Sequence, residues 1–183
     1  MTGGGFTTTR RAVLAGALAV PTVAGLASWR WKHGSSSALL HDDTLQAGRR
    51  FAEAGNAAGA RTIAIEGDAV RFAQSITAQS PSLIVGVSRH AEALLIAEVA
   101  AEAGYMMATE LRGNAQGCQG YTCDAGWFAL NRMAVGAGSN WIEALAAWAA
   151  NPNARDVPTL SRSSGRQTGD PGTVLGWVLV PRG

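Results

Sequence analysis

Three times in the first two thirds of the chain, a short apolar run gives way to a polar break and then to a segment with apolar residues every three or four positions. That repeated switch from strand-like to helix-like spacing predicts strand–helix units. The first unit opens with Ala38-Leu39-Leu40, breaks at His41-Asp42-Asp43, and continues as a helix to about Gly55 with Ala47, Phe51 and Ala54 turned inward. Asp43, with Gln46 three residues on, is the expected capping-box pair at its start. In the second unit Thr62-Ile63-Ala64-Ile65 is the strand, Glu66-Gly67-Asp68 the break with Asp68 as cap, and Ala69, Phe72, Ala73 and Ile76 the inner face of the helix.

The third unit has the clearest strand, Ser82-Leu83-Ile84-Val85-Gly86-Val87, apolar throughout as a strand covered on both faces should be. Ser88 is expected to cap a helix presenting Ala91, Leu94, Leu95 and Val99 and stopping at Gly104. Tyr105 to Leu111 reads as a fourth strand. Residues 112–126 read as a Gly-rich loop holding both cysteines. Trp127–Val135 and Asn140–Ala150 read as helices, the second opened by Asn140 with Glu143, and residues 151–172 as irregular. Thr173–Val180 reads as a last strand added at a sheet edge. The expected class is α/β, a Rossmann-like or flavodoxin-like three-layer sandwich with a mostly parallel sheet and right-handed crossovers.

Ahead of this domain the pattern differs. Thr8-Thr9-Arg10-Arg11-Ala12-Val13-Leu14 is followed by the apolar stretch Ala12 to Ala27, interrupted by Pro21 and ending Gly25-Leu26-Ala27. The motif resembles the twin-arginine (Tat) export signal, with Val13 in place of the usual Phe and Ala15 in place of Lys. A basic pair, a short apolar core and small residues make a cleavable signal, and the core is shorter than the roughly 20 residues that span a bilayer. Residues 1–27 are therefore expected to be the signal, 28–37 a flexible leader and 38–183 one α/β domain, with cleavage after Ala27 or retention as a membrane anchor as the two fates. The resemblance implies a periplasmic location, the Tat translocase as a transient partner, and cargo that crosses the membrane folded. Arg49-Arg50-Phe51 repeats the basic pair but no apolar run follows it.

Composition narrows the function. The chain is 47% hydrophobic and 15% charged, which supports a buried core. Its formal charge of +2 is carried by Arg10 and Arg11, so the mature part is balanced and has no general grip on nucleic acid. The abundance of Ala and of Arg over Lys is explained by codon composition. The two cysteines, Cys118 and Cys123, are five residues apart and in an exported chain are expected to form a disulfide.

In a parallel α/β sheet ligands gather where strands end and helices begin. That edge would carry His41, Asp42, Asp43, Asp68, Ser88, Arg89 and His90 as the candidate ligand site, with Glu66 and, further off, Glu110 and Arg112. Asp43, Asp68 and Ser88 are equally explained as helix caps. The acidic pair Asp42-Asp43 resembles that of response-regulator receiver domains over one strand and turn, but Val87-Ser88 stands where the phospho-accepting Asp would be. Phosphate-binding Gly motifs and Gly-x-Ser-x-Gly are absent from the strand–helix junctions. Asp42, Asp43 and Asp68 with His41 or His90 are the oxygens and imidazoles from which a divalent cation would have to be held. Folded export implies a cofactor bound in the cytoplasm, folding too fast for the thread-through route, or a partner that carries the chain, and the sequence identifies no particular cofactor. The expected role is a non-catalytic accessory or small-ligand-binding module, the accessory form serving a larger Tat-exported redox enzyme; the alternative is a small metal-assisted hydrolase or lyase using the edge Asp and His residues.

Overall fold

Every residue from Ser82 to Ser88 is buried, and the strand they form lies inside the sheet. The computed structural model describes residues 36–122, 125–152 and 170–182. Its elements follow the order β1 (Ser37–His41), α1 (Gln46–Ala57), β2 (Thr62–Ala64), α2 (Ala69–Thr77), β3 (Leu83–Ser88), α3 (His90–Glu102), β4 (Tyr105–Asn114), β5 (Gly117–Tyr121), α4 (Phe128–Gly136), α5 (Trp141–Ala150) and β6 (Val174–Pro181). The expected signal, most of the expected leader and most of the stretch read as irregular lie outside the described residues.

The fold is α/β, one open six-stranded sheet in the order β2-β1-β3-β6-β4-β5. β1 runs parallel to β2 and β3, while β6 is antiparallel to both β3 and β4, and β5 is antiparallel to β4. The sheet is thus mixed. β6 is not at an edge; it joins the two halves. Val174 to Val180 are all buried, the mark of a strand covered on both faces.

Strand alternation sorts the core into two layers. On one face, here the front, Leu39, Val85, Leu111 and Val178 meet α1, α4 and α5 through Phe51, Trp141 and Leu145. On the back, Leu40, Ile84, Trp177 and Leu179 meet α2 and α3 through Ile76 and Ile96. The Trp177 indole crosses Gly86 so closely that a Cβ there would come within 2.1 Å of the ring.

Four local expectations are corrected. Residues 112–126 are not a loop at their start: β4 continues to Asn114 and turns through Ala115-Gln116 into β5. α3 buries Ala93, Ile96 and Ala100 and leaves Leu94 and Leu95 about half exposed, so its inner face is rotated from the expected one. Small residues let that helix lie close to the sheet. Ser88 is the last residue of β3 rather than the cap of α3, a position held by Arg89. Asn140 makes no capping bond; Glu143 instead receives Arg50 Nε at 2.6 Å and Nη2 at 2.8 Å.

The expected Cys118–Cys123 disulfide is not formed. Cys118 is a free thiol whose side chain packs against the front core, and burial pushes it up to about 11. Cys123 lies outside the described residues.

Candidate functional site

β1 and β3 end side by side, and the chain leaves them toward opposite faces: α1 packs on the front and α3 on the back. The strand ends are therefore open between the two helices, the position where ligands enter α/β sheets. Asp42 fills the bottom of this notch. Its backbone N–H donates to the Val87 carbonyl at 3.0 Å, extending the β1–β3 ladder by one bond, and the residue is only 3% exposed.

A buried carboxylate needs partners. Asp42 Oδ1 accepts from the Thr44 N–H at 2.9 Å and the Thr44 hydroxyl at 2.5 Å, and Oδ2 accepts from Arg89 Nη1 at 2.5 Å. The same Nη1 donates to Thr44 Oγ1 at 2.9 Å. Arg89 is thus held at one nitrogen while its side chain stays 53% exposed, and among the described residues its Nε and Nη2 make no hydrogen bond. Glu92 completes the group: its Oε2 accepts from the Arg89 N–H at 3.4 Å and Oε1 lies 4.0 Å from Nη1. Burial, and next the Asp42 carboxylate, hold Glu92 above the usual carboxyl range against the pull of Arg89.

The other predicted residues are placed differently. Ser88 is buried and structural, accepting from Trp177 Nε1 at 3.0 Å and donating to the Arg89 carbonyl at 3.1 Å. His41, next to Asp42 in sequence, falls on the opposite, front face by strand alternation, and its buried Nδ1 has no hydrogen-bond partner. Burial lowers its pKa, opposed by Asp43, the Ile63 backbone and Asp42 in that order. Asp43 is exposed, with its carbonyl accepting from Arg49 Nη1 at 2.6 Å. Asp68 caps α2, accepting from the Arg71 N–H at 2.9 Å, and His90 and Glu66 are exposed. Glu110 and Arg112 pair with each other two strands from β3, and Arg112 lies 5.2 Å over the Tyr121 ring. A shallow groove of about 520 Å³ runs along that hairpin past Arg112, Gln119, Tyr121 and Thr173. The structure therefore unites Asp42 with Arg89 and leaves Asp43, Asp68 and His90 apart. Among the described residues no group of three or more His, Cys, Asp or Glu is arranged to hold a metal ion.

Thr44 and Glu92 were missed. Both had local signals: Asp-x-Thr after a strand is an Asx-turn pattern, and Glu92 stands three residues after Arg89 at a helix start. Asp170 had none. It arrives from 124 residues away, where its Oδ1 accepts from the Gln46 N–H at 2.6 Å and Oδ2 from the Ala47 N–H at 2.8 Å. Asp170, not Asp43, caps α1, so the anion-attracting end of that helix is already filled from within the chain. Comparison with protein-family models, curated proteins and solved structures finds no match to this chain.

Proposed function

We propose that this chain is an exported, periplasmic small-ligand-binding module, non-catalytic, with its site in the notch between β1 and β3. The parallel order β2-β1-β3, with α1 and α3 packed on opposite faces, supports this reading, since ligands of doubly wound sheets enter where adjacent strands send their helices to opposite sides. The observation that carries the reading is Arg89. Asp42 and Thr44 fix one guanidinium nitrogen, leaving the fork aimed outward to take a carboxylate or phosphate with two parallel hydrogen bonds. Glu92 stands beside the same guanidinium, its Oε1 4.0 Å from Nη1, so that the charge left for a ligand is shared between them. The export part of the reading rests on Arg10-Arg11 and the apolar run behind them.

Thermal melting of the full chain against a panel of small mono- and dicarboxylates and phosphate esters tests the site. A binder raises the melting temperature of wild type and not of Arg89→Met. A panel with no shift, or a shift that survives Arg89→Met, removes this site from consideration. An accessory role beside a larger exported redox enzyme is the same reading with a protein partner, and predicts co-purification from the periplasm. One observation favours a lyase or hydrolase instead: Glu92, raised by burial first and by the Asp42 carboxylate next, shares the Arg89 guanidinium with Asp42, the kind of carboxyl neighbourhood from which acid–base chemistry is built. Turnover lost in Glu92→Gln at unchanged melting temperature would decide for it.

A further inference from the structure

The two borders of the sheet are built differently. β2 is three residues long and offers little edge. β5 has five residues, Gly117-Cys118-Gln119-Gly120-Tyr121, with no charge, no proline and no strand beyond it among the described residues. Edges of that kind are normally blunted, because unpaired amides template another strand. The Ala115-Gln116 turn makes Asn114–Gly117 a closing pair, so Gly117, Gln119 and Tyr121 turn their backbone groups toward β4. Cys118 and Gly120 then turn theirs outward.

The helix over this border is incomplete on the same side. α4 seats Leu130, Asn131 and Ala134 on the sheet, and Met133 packs against the front core. Phe128 and Val135, both 48% exposed, stand on the flank opposite Met133 at helical spacing. A core lies on the Met133 side, so the Phe128–Val135 flank borders the free edge of β5.

We infer that this border is the contact surface for a second copy of the chain, joined through antiparallel β5 strands about a two-fold axis at Gln119. The sequence is self-complementary in that register. Cys118 faces Gly120 of the copy and exchanges two backbone hydrogen bonds with it, twice over by symmetry. Tyr121 faces Gly117, a bulky ring against no side chain, and Gln119 faces its own equivalent with amide against amide. Gly120 has room for no Cβ of its own, since Asn131 would lie 2.5 Å from it, so the small position is already fixed by the fold. The same axis turns the two α4 flanks that carry Phe128 and Val135 toward each other. A symmetric closed pair leaves no β5 edge to propagate.

Sedimentation velocity of the full chain over a concentration series reads the association. Wild type is expected to form dimers. Gln119→Lys, which sets like charges face to face, weakens association about fivefold or more, and Phe128→Lys does likewise. An equimolar mixture of Gln119→Lys and Gln119→Glu restores it as a heterodimer. Both positions are exposed, so circular dichroism melts of the variants should match wild type. Leu95→Lys, on the outer side of α3, leaves association unchanged. A chain that stays monomeric at every concentration, a dimer indifferent to both border substitutions, or one broken by Leu95→Lys instead, overturns the inference.

Discussion

Glu92 and His41 titrate in opposite senses because burial acts on an acid and a base with opposite sign. Glu92 keeps its proton more tightly when folded, so its contribution to stability is full below the ordinary value of 4.5 and lost as pH rises through the folded value. His41 is lowered from 6.5, so its contribution is full above 6.5 and lost as pH falls through the folded value. Urea titrations at several pH values should show the Glu92→Gln variant gaining on wild type as pH rises past 4.5, and His41→Asn gaining as pH falls below 6.5. Stability curves parallel to wild type in both variants would mean that neither group is perturbed. Cys118 gives a second check: with its thiol near 11 against the usual 9.0, alkylation in a Cys123→Ser chain should be about a hundredfold slower folded than in urea. Equal rates would contradict the burial. At this scale the sequence was legible where chemistry is local: Asp42 and Arg89 stand at strand ends in a readable pattern. It was silent on which of two adjacent residues faces which layer, and that parity separates His41 from Asp42.

The entry to α1 depends on two contacts, one backbone and one distant. A Cβ on Gly48 would meet the Asp42 carbonyl oxygen at 1.9 Å, and that neighbour is main chain with nowhere to retreat. Gly48→Ala should destabilise by about 3 kcal/mol and abolish any ligand-induced melting shift, because it displaces Asp42 itself. Asp170→Ala removes the carboxylate that holds two N–H groups of α1 and should cost about 1–2 kcal/mol in chemical denaturation. A neutral result at Asp170 would show that water caps the helix as well. Elements were read correctly where their patterns are sharp, as in β3 and α2. α3 misled because it is apolar nearly all round, which leaves the spacing of Leu94, Leu95 and Val99 no better a guide than that of Ala93, Ile96 and Ala100. The β4–β5 hairpin was hidden by its glycines, which pattern reading assigns to loops and which here make room for Asn131 and Trp141.

The whole molecule turns on β6. Its unbroken apolar run carried the signature of a doubly covered strand, yet its place at the end of the chain suggested an addition at the border. Because β6 pairs with β3 on one side and β4 on the other, deleting residues 170–183 should abolish the cooperative melt instead of lowering it by a few degrees. A shortened chain that still unfolds in one sharp transition would show that the halves stand alone. The proposed export signal makes its own prediction: replacing Arg10 and Arg11 by Lys should leave the chain in the cytosolic fraction, and an unchanged location would argue against the twin-arginine route. The late arrival of β6 also bears on biogenesis. Until the segment that forms β6 has emerged, the polypeptide exposes two raw strand borders with no keystone between them, so completion has to await the sixth strand. Such a sheet closes in one late step, and until then its two borders need shielding from their neighbours.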